Sequence, residues 1–320
     1  MVKTCWSISR NTFMELVRQP VFLILSAGAP SFIILLGSVY YFGMGDDPKM
    51  VKQSGLAVLL LAGLFCAVFG ASASVAGELK LGTALIVLAK PISRLSFLIS
   101  KFLGICAIIN MLFLNCLLTA LLADFMAFDA HGEPHWIGLS VYFGLILCAF
   151  FIAALTNYFL KRSFIQDASF GILLGTLAAF ILIGFVIDSS VGTSQVREID
   201  WRMVPVGFLI LFALWVLAAV ALTCSTRLEM VPTLVICSGI LLLGLVSDYF
   251  FGRSAEAGRV SGSILYSLVP NWQIFWMIDT LETRRTIPWS YFLVSAFYML
   301  SCLTGILALA NHLFRERDLS

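Results

Sequence analysis

Runs of about 20 apolar residues, about eight in number and separated by short charged segments, decide what this 320-residue chain can become. As an α-helix, a run of that length rises about 1.5 Å per residue and crosses about 30 Å of hydrocarbon. The runs lie at Val21 to Phe42, Leu56 to Val75, Phe97 to Leu122, Ile137 to Leu160, Phe170 to Ile187, Val204 to Cys224, Val231 to Phe250 and Trp289 to Leu313. The core of a soluble domain would instead be spread through amphipathic periods, and about a quarter of its residues would be charged. Here 60% of residues are hydrophobic, 12% are charged and the mean hydropathy is +0.99. The expected fold is all-α: a polytopic transmembrane helix bundle of about eight spans, forming one domain over residues 1–320.

The net charge of +2 gives no reason to expect a nucleic-acid partner, so the basic residues are read by position. With the N-terminus inside, Lys3, Arg10, Arg18, Lys80, Lys90, Arg94, Lys101, Lys161, Arg162, Arg227, Arg315 and Arg317 fall on the cytoplasmic side, twelve of the 20. Glu15, Glu78, Asp167, Glu229, Glu316 and Asp318 are the inner acids, against twelve outside, among them Asp124, Asp129 and Glu133 of one acid-only loop. Lys and Arg set orientation, which predicts both termini in the cytoplasm. The last outer segment, with Arg253, Arg259, Arg284 and Arg285, carries the opposite bias. The first apolar run lacks a small-residue cleavage site and reads as a retained anchor. All eight cysteines lie in spans or on the inner side with no CxxC pair, which suggests neither a disulfide framework nor a zinc site.

Three segments depart from plain spanning helix. In residues 1–20, Cys5, Trp6, Ser9, Phe13, Leu16 and Val17 share one side, Lys3, Asn11, Glu15 and Arg18 lie elsewhere, and Pro20 marks a bend. That pattern predicts an amphipathic helix in the cytoplasmic interface. Residues 76–96 join spans two and three and include nine mostly apolar residues, Leu81 to Ala89, too few to span. A short helix lying on the membrane or docked in a protein groove accommodates them. Pro91 ends that helix at Lys90, and Ser93 is placed to cap the helix entering span three. In the outer segment, residues 251–288, Trp272, Phe275, Trp276 and Asp279 fall at helical spacing and predict an interfacial or partly re-entrant helix anchored by the tryptophans.

Other chemistries meet specific obstacles. Gly43-Met44-Gly45-Asp46 fits the Gly-x-Gly-Asp pattern of intramembrane aspartyl proteases, but only Asp124 and Asp248 come near as a second aspartate, and a Gly/Asp turn explains the tetrapeptide. His131-Gly132-Glu133-Pro134-His135 offers two imidazoles and a carboxylate, but Gly132 and Pro134 spoil a shared helical face. An ion-coupled secondary carrier needs ionisable groups at mid-membrane, whereas the main polar residues there are Asn110 and Asn115, as able to bridge helices as to touch a substrate. Gly171-x3-Gly175 and Ala67-x3-Ala71 read as close helix contacts.

In their order, the three segments resemble the permease subunits of ABC-2-type transporters over nearly the whole chain. The local matches are Asn11-Thr12-Phe13 through Glu15, Arg18 and Gln19; Glu78, Gly82-Thr83, Lys90-Pro91, Ser93-Arg94 and Lys101; and Phe314-Arg315-Glu316-Arg317-Asp318-Leu319. Ala84 stands where that family commonly has an acid, Ser100 stands where glycine is common, and eight spans exceed the six of its best-described members. The resemblance implies a non-enzymatic exporter subunit in the bacterial cytoplasmic (inner) membrane. It would pair with a second permease chain, identical or different, and with ABC ATP-binding subunits that carry ATP and Mg. The chain has no Gly-x4-Gly-Lys-Ser/Thr phosphate loop and no Gly-Lys dipeptide, in keeping with that division of labour. The resemblance also implies coupling to the ATPase through Glu78, Gly82, Thr83, Leu85, Leu88, Lys90, Pro91 and Arg94. Gly82 would start that segment, Leu81, Leu85 and Leu88 would form its apolar face, and Lys90 and Arg94 would meet the partner or anionic membrane lipid.

Overall fold

A computed structural model describes residues 2–39, 47–77, 93–128, 133–186, 199–252, 269–282 and 287–315, and among them there are helices and no strand. The main elements are α1 (Val2–Val17), α2 (Pro20–Leu36), α3 (Asp47–Ala71, continued by a π turn, Ser72–Ala76), α4 (Arg94–Met126), α5 (Trp136–Leu160), α6 (Phe164–Ile181, continued by a π turn, Leu182–Val186), α7 (Met203–Ser225), α8 (Met230–Leu245) and α9 (Trp289–Arg315). Six of these, α3, α4, α5, α6, α7 and α9, are long and apolar enough to cross a membrane, and α1 with α2, bent by 69° at Arg18–Gln19, would make a seventh if the pair is one span. This is the chemistry of a helical membrane bundle, in which every backbone polar group is satisfied within its own helix.

Two apolar runs end earlier than their sequence suggests. α2 has 17 residues and stops at Gly37, its C-cap, rather than running to Phe42. α8 has 16 residues, leaves helical geometry at Val246, and is followed by a separate π turn over Asp248–Gly252, so the run to Phe250 is not one continuous helix. For α8 the cause lies in the segment around Trp272, described below.

Helices α4 and α7 form the centre. Their most apolar windows are 78% and 89% buried, against 33% for α5 and α6 and 17% for α9, so the outer helices supply most of the apolar outer surface. α4 is packed by α1, α2, α3, α6 and α7, and α7 by α3, α8 and α9. Among the described elements the pairing of α5 with α6 is the most extensive, and two glycines permit it. A Cβ at Gly171 would sit 3.2 Å from the Ala149 Cβ, and one at Gly175 would sit 3.4 Å from the Leu145 carbonyl oxygen. At the turn of this hairpin Lys161 takes left-handed geometry, φ 52°, the conformation that ends many helices.

α1 is a helix, as its period predicts, and it buries most of the expected face, with Thr12 added and Trp6 left out. Ser9, Thr12, Leu16 and Val17 are buried, while Trp6 is 72% exposed. Gly104 of α4 explains the choice, since a Cβ there would meet the Thr12 Cβ at 2.7 Å and the Ser9 carbonyl oxygen at 2.9 Å. The small residues set the closest approach, and Trp6, a turn earlier, lies beyond it.

Candidate functional site

Residues 78–92 lie outside the described residues, and with them Glu78, Gly82, Thr83, Leu85, Leu88, Lys90 and Pro91. The flanks are described. Ser93 has extended geometry and its Oγ accepts from the Ser96 backbone N–H at 3.1 Å, capping α4. Arg94 turns back onto the end of α9, donating to the Phe314 carbonyl oxygen at 3.1 Å with its guanidinium carbon 5.9 Å from the Phe314 ring centre. Arg227, just past α7, donates to the Leu313 carbonyl oxygen at 2.9 Å. Two guanidinium groups thus satisfy the last-turn carbonyls of α9, where the helix dipole favours cations. Phe97 stacks on Phe314 at 6.0 Å, and the ammonium of Lys101, a residue 3% exposed, lies 5.7 Å from the Phe97 ring centre. Arg18, at the α1–α2 bend, donates to the Gln166 side chain of α6 at 2.9 Å. This end of the bundle is therefore basic, and it is the end from which the chain leaves for residues 78–92 and returns.

The opposite end carries a cluster that periodicity does not reveal. Lys52 of α3 lies 2.6 Å from Asp200 and 3.5 Å from Asp124 at the end of α4. Arg202 grips Asp200 with two donors, Nε at 2.7 Å and Nη2 at 2.8 Å. This bidentate fork is the strongest form of such a pair. Burial works against ionisation of Asp200, but Arg202 and Lys52 outweigh it and hold its pKa at about 2, below the ordinary 3.8. The cluster ties together the ends of α3 and α4 and the segment leading into α7. Lys52 and Asp124 fall outside the apolar runs and read from sequence as loop charges, whereas the helices extend past the runs, with Lys52 in the second turn of α3 and Asp124 in the last turn of α4.

Beside it the chain folds back into the bundle. Trp272, 2% exposed, donates its indole N–H to the Ile240 carbonyl oxygen at 3.0 Å and lies so close to Gly244 that any side chain there would collide with the ring. Leu60, Ile210, Ala213, Leu241 and Leu245 line the cleft around Trp272, Phe275 and Trp276. Leu60 and Ala213 lie well along α3 and α7, so this segment enters the bundle rather than resting on its rim. The expected continuous helix is instead a 3-10 turn, Trp272–Ile274, and a four-residue helix, Asp279–Glu282. Side chains hold this shape. Asn271 caps the turn and donates to Asp248 at 3.0 Å, Gln273 donates to the Leu245 carbonyl oxygen at 3.0 Å, and Tyr291 donates to the Ile274 carbonyl oxygen at 2.7 Å. The same contacts occupy the end of α8 and account for its shortness.

The remaining sequence candidates resolve into structural contacts. Asn115 donates to the Ser26 carbonyl oxygen at 2.8 Å, joining α4 to α2, and Asn110 accepts from the Trp215 indole at 2.9 Å, joining α4 to α7. His135 Nδ1 accepts from the Gly138 N–H at 2.9 Å as the N-cap of α5, while His131 and Gly132 lie outside the described residues. Among the described residues no group of three or more His, Cys, Asp or Glu could hold a metal ion, and all eight cysteines are free thiols. Asp46 lies outside the described residues, and its two candidate partners are engaged, Asp124 with Lys52 and Asp248 with Asn271.

Fold and ends together define a class: an all-helical protein with several helices able to cross a membrane, one end basic and the other closed by an ion cluster and an inserted aromatic segment. No protein-family model matches the sequence, and no curated protein matches it.

Proposed function

We propose that the chain is the permease subunit of an ATP-driven exporter of the ABC-2 type, seated in a bacterial cytoplasmic membrane with both termini inside. The observation that carries this reading is the arrangement of the basic end. There α1 turns by 69° into α2, α3 ends in a π turn, α4 begins at a capped Ser93, and Arg94 and Arg227 converge on the end of α9. An apolar segment too short to span leaves and rejoins the bundle at this end, where a cytoplasmic motor could push on α3 and α4 together. The basic residues gathered here support the orientation.

On this reading residues 78–92 dock into an ATP-binding subunit, which supplies ATP and Mg, while this chain and a second permease chain form the path. Arg94 anchors the coupling segment to α9 through Phe314 and transmits its displacement to the last helix. The apolar interior fits a lipid-like or amphipathic cargo. Purification from native membranes in mild detergent tests this. A stoichiometric companion with a phosphate loop and ATPase activity is expected, with none in the isolated chain. ATP turnover by the isolated chain, or the lack of any such companion, contradicts it.

A further inference from the structure

One exposed stripe on α4 sets a single amide, Asn110, among apolar side chains. Most of α4 is buried, yet Ile99, Leu103, Asn110 and Leu114 are exposed, spaced 4, 7 and 4 residues apart, with half-buried Ala107 inside the wider gap. That is the seam of a left-handed helix pair. Asn110 is the 17th of the helix's 33 residues, so its amide sits near mid-bilayer depth. Its Oδ1 accepts from Trp215, and no described residue accepts from its Nδ2. Hydrocarbon tails offer no acceptor, so a lipid contact would leave two amide hydrogens unsatisfied in the most apolar layer.

The occupant must therefore present a hydrogen-bond acceptor at that depth on a surface matching an apolar seam. We propose that it is a second copy of this chain, with α4 packed against α4 of the partner about a two-fold axis through Asn110. A carboxamide is self-complementary. Each Nδ2 donates to the partner's Oδ1, which has a second lone pair beyond the one facing the Trp215 indole. A two-fold axis brings each residue to its own copy at the same depth, so the match needs no further adjustment. Leu103, Ala107 and Leu114 then interlock above and below, and the lone asparagine in the seam fixes the register. Phe208, 40% exposed and 5.4 Å from Phe113, widens the surface on the α7 side. This rests on the permease reading only in its need for a second chain, and it specifies that chain as identical and names the contact.

The test uses the full-length chain, labelled with two fluorophores and reconstituted in phosphatidylcholine vesicles across a range of dilutions, with dimerisation read by energy transfer. The wild type dimerises. N110L keeps the branching at Cγ but removes the amide, and weakens the dimer by roughly three- to thirtyfold, the range of interhelical hydrogen bonds. N110Q restores most of that loss. L103W abolishes pairing by bulk, whereas L147W, on the exposed face of α5, leaves it unchanged. Unfolding temperatures of all four variants near wild type show that the effect is not loss of fold. A monomeric wild type, or a dimer indifferent to N110L and L103W as a lipid- or water-facing stripe would be, overturns the proposal. If that happens while an ATPase still co-purifies, only this contact is wrong. Loss of the ATPase companion instead refutes the reading beneath it.

Discussion

Asp200 accepts from two cations at once, so its removal leaves Lys52 only the longer contact to Asp124 and leaves Arg202 without its carboxylate. With Lys52 15% and Asp200 9% exposed at the side chain, little water is available to replace the lost bonds. Arg202, 32% exposed, is better placed to find water. We expect Asp200→Asn to cost about 2 kcal/mol, less than the roughly 3 to 5 of a fully buried pair. The pH dependence follows from the lowered pKa. A carboxyl that ionises at about 2 when folded and 3.8 when unfolded stabilises fully above about pH 4 and loses that contribution as pH falls toward 2. The gap in unfolding temperature between wild type and Asp200→Asn in detergent is therefore flat from about pH 7 to 5 and narrows below 4. Closure of the gap above pH 5 would show that the carboxylate is not what joins α3, α4 and α7.

The helices show where sequence suffices and where it stops. α5, expected from Ile137 to Leu160, runs Trp136–Leu160, and α7, expected from Val204 to Cys224, runs Met203–Ser225, because polar residues end their apolar runs. α8 is shorter than its run because its end is set by Trp272 and Gln273, distant in sequence, which hydropathy does not encode. The same holds for the sites. Ser93 as a cap and Asn115 as a bridge follow from local pattern, whereas the ion cluster joins residues 52, 124 and 200 and is visible only once three helices are side by side. That Thr12 joins the buried face of α1 while Trp6 leaves it was missed for a related reason: Gly104, on another helix, selects the contact. Gly104→Leu forces α1 off α4 and is expected to cost about 1 to 3 kcal/mol, read as a lower unfolding temperature with new trypsin cleavage at Arg10. Gly239→Leu in α8, where nothing lies within 4 Å of a Cβ, is the control and changes neither. Equal effects at both sites would mean that the close α1–α4 contact does not exist.

At the scale of the molecule, the two ends differ in chemistry. One is sealed by the ion cluster and by Trp272 inserted among α3, α7 and α8. The other gathers Arg18, Arg94, Lys101 and Arg227 around the point where residues 78–92 depart. On the permease proposal, that departing segment is the handle of a motor. Full burial of a leucine gains roughly 1.5 to 3 kcal/mol, so an aspartate in its place on a docking face removes at least about tenfold in affinity. Spanning is unaffected, since the apolar lengths of α3 and α4 are unchanged. The direct measurement is co-purification of the ATP-binding subunit with Leu85→Asp and Leu88→Asp, alongside membrane abundance. The account predicts near wild-type abundance in the membrane with the ATPase and its stimulated turnover lost. Recovery of the ATPase at wild-type yield from both variants would contradict it.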